Sequence, residues 1–192
     1  HDSSAGPVAR THFAKALNAV QQLSRTSAWP VHGRDSTRAL EAWLQARSPI
    51  PLMKMAGLAA ARLALALTPH AQRIWVAAGP GNNGGDGLEA ALHLHRWGKT
   101  VQVSLMGSAH NLPADARAAC QRAQAAGVPI TPGLPVSWLE DMGPLDLCID
   151  ALLGMGATRP LNTEMQTWVQ AMNQCHAQVL AIDLPTGLSP ES

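Results

Sequence analysis

The sequence predicts a three-layer α/β/α, Rossmann-like fold in which a mostly parallel sheet lies between helices and is preceded by N-terminal helices. Short apolar runs alternate with amphipathic helical patterns, which is typical of parallel sheets. The first apolar run, residues 74–78, passes through a glycine-rich segment into a helical pattern. Apolar residues make up 46% of the 192 residues, enough for the core of one domain.

The secondary-structure patterns follow one another from residue 35 onward. Helices are expected at 35–46, 51–67, 88–97, 114–126, 136–142 and 163–174, and strands at 74–78, 101–105, 128–130, 145–149 and 178–182. The helix at 51–67 is apolar nearly all round, so we expect it to pack on the sheet. Thr163 and Gln166 have the spacing of a capping box. Residues 1–33, with a helical pattern at 11–23, form an N-terminal arm of unknown role, and residues 34–192 form the domain.

The segment 79–87 gives the strongest functional signal. It reads Gly-Pro-Gly-Asn-Asn-Gly-Gly-Asp-Gly and joins a strand to a helix. Glycines permit positive φ and a close approach of ligand to backbone, while the N–H groups at a helix start bind anions. A tight turn explains the glycines, but it does not explain the side chains of Asn82, Asn83 and Asp86. These three residues are therefore candidate ligand contacts.

The same segment fits neither of the two common phosphate-binding motifs. Residues 79–84 match G-x-G-x-x-G, but no acidic residue follows the second strand, where a dinucleotide fingerprint has one. A P-loop has Gly-Lys-Ser/Thr at its end, whereas Gly84 is followed by Gly85 and Asp86. An unrelated nucleotide-binding enzyme of Rossmann type is therefore disfavoured.

Two aspartates follow predicted strands, at the edge where ligands bind in open α/β sheets. Asp150 comes directly after residues 145–149 and Asp183 directly after residues 178–182. Such carboxylates are candidates for acid–base catalysis or for holding a cation. Asn83, Asp150 and Thr186 together offer only hard oxygen ligands, which favours an alkali or alkaline-earth ion over zinc.

Three stretches resemble the YjeF N-terminal domain family, the NAD(P)HX epimerases. They are residues 79–87, residues 150–160 and residues 181–188, in the family's order and at compatible spacing. The resemblance covers roughly residue 34 to the end of the chain. At the start of the helix at 51–67, Lys54 and Met55 stand where the family has Glu and Asn.

The resemblance implies a function and a set of site residues. Family members interconvert the R and S hydrates of NADH and NADPH. The implied potassium ligands are Asn83, Asp150 and Thr186, and Arg159 could pair with a phosphate. The implied contacts to NAD(P)HX, the substrate, are Asn82, Asn83, Gly84, Gly85, Asp86, Gly154, Met155, Gly156, Ala157, Thr158, Arg159, Pro160 and Asp183. We expect Asp150 and Asp183 to be the catalytic residues.

The expected partners are few. The resemblance implies an ADP- or ATP-dependent dehydratase, fused to the epimerase in some relatives, and leaves a homodimer open. A net charge of +1 gives no reason to expect nucleic acid or an anionic membrane as a partner, and no apolar run reaches membrane-spanning length. Three cysteines without metal-binding spacing fit a reducing, cytoplasmic compartment. The alternative function is a non-catalytic nucleotide- or protein-binding module of the same fold.

One further expectation concerns the end of the chain. Family domains continue beyond the position of Ser192, so we expect a domain truncated at its C-terminus. The strand at 178–182 should then lie at an exposed sheet edge, which favours aggregation or pairing with another segment.

Overall fold

A computed structural model of the chain describes residues 33–157 and 160–188. The predictions for residues 1–32, for Thr158 and Arg159 and for residues 189–192 lie outside the described residues. The helices are α1 (Arg34–Gln45), α2 (Leu52–Leu67), α3 (Asn82–Arg96), α4 (Ala114–Ala125), α5 (Val136–Glu140) and α6 (Thr163–Gln174), with a 3-10 turn at Ala109–Asn111. The strands are β1 (Arg73–Ala78), β2 (Thr100–Leu105), β3 (Ile130–Thr131), β4 (Leu147–Ala151) and β5 (Gln178–Ala181). None of the described helices is long and apolar enough to cross a membrane.

The predicted α/β fold is confirmed, with a five-stranded parallel sheet in the order β3-β2-β1-β4-β5. From β1 the chain builds outward through β2 to β3, then crosses to β4 and β5 on the other side. The order therefore reverses between β1 and β4, where Ala78 is paired with Ala151. Ligands of open α/β sheets bind at such a switch point, outside the carboxyl ends of the strands.

The sheet is buried on both faces because alternate residues of β1 feed two separate cores. Ile74, Val76 and Ala78 belong to the core that includes residues of α3 and α4. Trp75 faces the opposite core, where its ring lies 6.4 Å from that of Trp168 on α6. The Trp75 indole N–H donates a hydrogen bond of 3.0 Å to the buried Ser104 hydroxyl, so its polar atom is satisfied.

Helix α2 does not pack on the sheet as predicted. Its main packing partner is α3, which itself contacts β1, β2 and β4. Only Met53, Gly57, Ala61 and Ala64 of α2 are buried. Small residues on this face let the two helices approach closely, since a Cβ on Gly57 would lie 3.0 Å from the backbone N of Ala90. An apolar pattern predicts that a helix is buried, but it does not show whether the helix packs on a sheet or on another helix. Here α3 lies between α2 and the sheet.

Two predicted positions are wrong by one or two residues, and in each case hydrogen bonds explain the difference. Strand β4 begins at Leu147 rather than 145, because the Asp146 carboxylate accepts bonds from Gly143 N and Arg73 N, both 3.0 Å, and closes the preceding turn. The strand also ends later than predicted, at Ala151, so Asp150 lies inside β4 rather than after it. Helix α6 is capped by Asn162, not by Thr163, because the Asn162 side chain accepts from Met165 N at 2.8 Å.

The glycine-rich segment is mostly helix rather than a loop. Helix α3 begins at Asn82, so only residues 79–81 separate it from β1. The positive φ that glycine permits is not used in this segment, because the positive-φ glycines among the described residues lie elsewhere, at Gly98, Gly107, Gly127, Gly133 and Gly187. Most glycines of this segment are needed for a different reason, the absence of a side chain.

Close backbone contacts explain the glycines at the start of α3. A Cβ on Gly84 would lie 2.8 Å from the carbonyl carbon of Gly79 and 2.9 Å from its nitrogen. A Cβ on Gly79 would lie 2.7 Å from the carbonyl carbon of Leu152, and one on Gly87 would lie 2.5 Å from the Ala151 Cβ. The first turns of α3 therefore rest directly on the ends of β1 and β4.

We expect the substitution Gly84→Ala to lower the free energy of unfolding by about 1–3 kcal/mol, because backbone atoms of Gly79 cannot move aside as a flexible side chain would. Gly81→Ala is the matched control, since a Cβ there meets nothing within 4 Å and the φ of −113° is ordinary for alanine. Urea unfolding followed by circular dichroism measures both. Equal midpoints for the two variants would contradict this packing.

Candidate active site

The N-terminus of α3 is an anion-binding arrangement. The first N–H groups of a helix have no intrahelical partner, and the first bond of α3 runs from Gly85 N to Gly81 O. The N-cap residue, Gly81, has no side chain that could cap them, and no acidic residue lies in the first turn. These N–H groups and the helix dipole therefore point at the space outside β1, where a phosphate would be stabilised.

Asn83 adds an unsatisfied polar group to this position. Its Nδ2 atom is buried and has no hydrogen-bond partner among the described residues. A buried amide without a partner costs stability, so such a group is a sign of a ligand contact. Rotating the amide by 180° exchanges its nitrogen and oxygen, so the same position can donate to a ligand or present an oxygen to a cation. The neighbouring Asn82 is exposed.

A network of hydrogen bonds joins Asp150 of β4 to Thr186 in the segment after β5. The Thr186 backbone N–H donates to Asp150 Oδ2 at 2.7 Å, and the Thr186 hydroxyl donates to Oδ1 at 2.7 Å. Leu152 N donates to the same Oδ1 at 3.2 Å, and Leu153 N donates to the Thr186 hydroxyl oxygen at 3.2 Å. Both side chains are buried. The network fixes the two strand ends relative to each other.

Asp183 makes a second link between the same two segments. It has a φ of 71°, and it is the one non-glycine residue with positive φ among the described residues. Its Oδ2 accepts a hydrogen bond of 2.6 Å from Met155 N, and Gly154 leaves room for it, since a Cβ there would lie 3.3 Å from the Asp183 Cγ. Left-handed backbone outside glycine costs free energy and is concentrated at functional sites. Asp183 is exposed, so a ligand can reach it.

Asp86 lies half-buried on the second turn of α3, and its surroundings are acidic. Burial raises the pKa of Asp86 from 3.8 to about 7, with further contributions from the charges of Glu41, Asp183 and Glu89. A carboxyl group with this pKa exchanges its proton near neutral pH, as a general acid or base must. Sequence reasoning found Asp86 as a ligand contact but missed its protonation, because two of the three neighbouring charges are remote in the sequence.

Glu89, one turn after Asp86, is a buried charge that sequence reasoning missed. It is 2% exposed and pairs with Arg122 of α4, whose Nε donates to Glu89 Oε1 at 2.7 Å. The pair braces α3 against α4 and removes the cost of an isolated buried charge. The sequence did contain a signal for this buried charge, because Glu89 lies among apolar residues of α3.

The structure thus brings most of the predicted site residues to one edge of the sheet. Residues 82–86, Asp150, Gly154, Met155, Asp183 and Thr186 lie at or beside the carboxyl ends of β1, β4 and β5. Ala157 N donates to Gly154 O at 3.0 Å and closes a turn after β4, while Gly156 and Pro160 are exposed and make no link to Asp150 or Thr186. No group of three His, Cys, Asp or Glu side chains within 33–157 and 160–188 could hold a metal ion.

Comparison with known proteins supplies the family. The sequence profile described as YjeF-related protein N-terminus matches residues 50–192, which is most of the chain. The chain belongs to this family. It is 43% identical over 141 residues to the NAD(P)H-hydrate epimerase of Achromobacter xylosoxidans, covering 73% of this chain and 65% of that protein.

Two further similar proteins are longer or differ more in sequence. The bifunctional NAD(P)H-hydrate repair enzyme Nnr of Coxiella burnetii is 38% identical over 145 residues, covering 76% of this chain and 29% of the enzyme. The crystal structure of yeast ynu0 superimposes with a TM-score of 0.69 at 24% identity, covering 83% of this chain and 72% of the yeast protein. The chain thus spans slightly under two thirds of the Achromobacter epimerase and has the fold of the yeast protein.

The acidic surroundings of Asp86 predict a pH-dependent stability. Because the folded pKa of about 7 lies above the unfolded value near 3.8, the native state binds the proton more tightly than the unfolded state. The stability that depends on this proton is complete below pH 4 and is lost as the pH rises through about 7. Replacing Asp86 with Asn should therefore stabilise the protein at pH 8 relative to wild type.

Urea unfolding at pH 5 and pH 8 measures this difference, with Asp115→Asn as the control because Asp115 is exposed on α4. Asp86→Asn should gain stability over wild type between pH 5 and pH 8, whereas Asp115→Asn should follow the wild-type curve. If Asp86→Asn shows the same pH dependence as wild type, Asp86 is ionised in the native state throughout this range.

Proposed function

We propose that this chain is the epimerase domain of an NAD(P)H-hydrate repair enzyme, interconverting the R and S hydrates of NADH and NADPH. The observation that carries the proposal is the convergence, at the β1/β4 switch point, of an anion-binding helix start, the Asp150–Thr186 network and the left-handed Asp183. The relatives named NAD(P)H-hydrate epimerase supply the substrate class.

The dinucleotide would lie along the edge of the sheet. Its pyrophosphate would accept hydrogen bonds from the N–H groups at the start of α3, with the amides of Asn82 and Asn83 close by. The turn at residues 154–157 would contact the other side of the ligand, and Arg159 would pair with a phosphate. The proposed contacts are Asn82, Asn83, Gly84, Gly85, Asp86, Gly154, Met155, Gly156, Ala157, Thr158, Arg159, Pro160 and Asp183.

Epimerisation needs a proton donor and acceptor at the hydrated carbon. Inverting that carbon breaks one of its bonds and forms it again on the opposite face, so a proton is delivered in one direction and taken back in the other. Asp86 is suited to this exchange, because its pKa of about 7 populates both protonation states near neutral pH. Asp183 is exposed and held in place by Met155 N, so it can act on the ligand directly. Asp150, the other proposed catalytic residue, accepts three hydrogen bonds that fix its carboxylate.

The oxygen atoms at this edge fit a potassium ion. The Asp150 carboxylate and the Thr186 hydroxyl are in contact, and Asn83 has a buried amide atom without a partner among the described residues. Carboxylate, hydroxyl and amide oxygens are the donors that hard cations prefer. We propose that Asn83, Asp150 and Thr186 hold potassium, whose positive charge would balance Asp150 and attract the phosphates.

The proposal extends to partners and location. The relatives named bifunctional repair enzymes match this chain over less than a third of their length, so their remaining residues hold more than this domain. We propose an ADP- or ATP-dependent dehydratase as the partner, fused or separate, and a cytoplasmic location. We place the domain at residues 34–192 and leave a homodimer open.

A second candidate is a nucleotide-binding module without catalysis. Lys54 and Met55 replace the family's Glu and Asn in the first turn of α2. The Met55 sulfur lies 3.6 Å from the Ser48 hydroxyl, and a thioether cannot make the hydrogen bonds of an amide. Such a module would bind the hydrate and leave its R-to-S ratio unchanged.

Chromatographic separation of the R and S hydrates tests the proposal. We expect purified chain in potassium buffer to speed their interconversion above the spontaneous rate, and Asp150→Asn to lower that rate at least tenfold. Thr186→Ser should retain most of the activity because it keeps the hydroxyl, whereas Thr186→Val should lose it. Replacing potassium by a bulky organic cation should lower the rate as well.

The outcomes separate the two candidates. Binding of the hydrate by calorimetry without faster interconversion would favour the non-catalytic module. Wild-type rates in folded Asp150→Asn and Thr186→Val would reject the proposed site, and folding is checked for each variant by circular dichroism.

A further inference from the structure

Two of the three cysteines lie side by side, on the face of the sheet that contacts α6. Cys148 on β4 and Cys175 after the end of α6 are 27 residues apart in the chain, yet their Sγ atoms are 3.3 Å apart. The third cysteine, Cys120, is buried on α4 in the opposite core. Neither thiol of the pair belongs to the proposed active site, so the chemistry of the pair does not depend on the proposed function.

The hydrogen bonds of the pair give the two sulfurs different roles. The Cys175 thiol donates to Met172 O at 3.1 Å, so its sulfur is left to accept the proton of Cys148. Cys148 is fully buried, whereas Cys175 is half-buried. Cys175 is therefore the sulfur that a reagent meets first.

The surroundings of Cys175 give a small reagent access to it. Cys175 is half-buried and lines a pocket of about 400 Å³ between α5 and α6, together with Leu134, Val136, Leu139, Glu140 and His176. None of the proposed active-site residues lines this pocket. A hydroperoxide is small enough to reach the Cys175 sulfur from this side, whereas Cys148 is fully buried behind it.

We propose that Cys148 and Cys175 form an oxidisable thiol pair that a hydroperoxide converts into an intramolecular disulfide. The Cys175 sulfur attacks one peroxide oxygen, the O–O bond breaks, and water leaves to give a sulfenic acid. The Cys148 sulfur then attacks the Cys175 sulfur, and the sulfenic oxygen leaves as water with the Cys148 proton. Two thiols lose two electrons and two protons in total, and hydrogen peroxide is reduced to two waters.

The geometry permits this bond with a small movement. The Sγ atoms must approach by about 1.2 Å to reach a disulfide bond length. Cys148 is held in β4 between β1 and β5, so the movement falls on Cys175. Cys175 has an extended backbone, with φ −69° and ψ 152°, and irregular residues follow it before β5, so this segment can adjust.

Hydrogen peroxide treatment of the folded, reduced chain, followed by alkylation with iodoacetamide in denaturant, tests the pair. We expect one alkylated cysteine instead of three, a chain two hydrogens lighter before alkylation, and a peptide that joins Cys148 to Cys175. Dithiothreitol should restore three reactive thiols. The melting temperature of the oxidised chain should rise by roughly 5–10 °C, because the bond closes a long loop.

Three variants and a denatured sample serve as controls. Cys120→Ser should form the disulfide like wild type, whereas Cys175→Ser should not, and Cys148→Ala should leave a Cys175 sulfenic acid that dimedone traps. Chain oxidised in urea should give mixed pairings that include Cys120. Three free thiols in peroxide-treated wild type, a native disulfide to Cys120, or disulfide-linked dimers as the main product would each overturn the proposal.

Discussion

The structure depends on one close contact, the packing of the first turns of α3 on the ends of β1 and β4. This contact exists because Gly79, Gly84 and Gly87 have no Cβ that would collide with neighbouring backbone or with Ala151. It places the free N–H groups of the helix directly over the switch point between β1 and β4. The Nδ2 atom of Asn83, in the first turn of this helix, is buried there.

The rest of the site is assembled around that helix start by hydrogen bonds between strand ends. The network of Asp150 and Thr186 ties β4 to the segment after β5, and the bond between Asp183 and Met155 joins the same segments a second time. The first link runs from strand β4 to the segment after β5, and the second joins the segments after β4 and β5, so these segments are fixed to the sheet and to each other. This arrangement holds the exposed Asp183 in its strained, left-handed backbone conformation and fixes its carboxylate.

The sequence predicted the sheet and the edge where the site lies, because apolar strands and turn residues are local patterns. It did not predict that α3 begins at Asn82, since the need for glycine arises from contact with Leu152 and Ala151, about 70 residues away in the chain. The capping of α6 by Asn162 depends on one hydrogen bond to its side chain, and the late start of β4 depends on two that the Asp146 carboxylate accepts. The protonation of Asp86 depends on Glu41 and Asp183, which only the fold brings near it.

Binding of a hydrated nicotinamide dinucleotide where α3 meets the ends of β4 and β5 can be measured by backbone amide NMR during a titration with hydrated NADPH in potassium buffer. We expect chemical-shift changes concentrated at residues 82–86, 154–157 and 183–186. Changes confined to the pocket around Leu134 and Cys175, or none at millimolar ligand, would contradict this binding site.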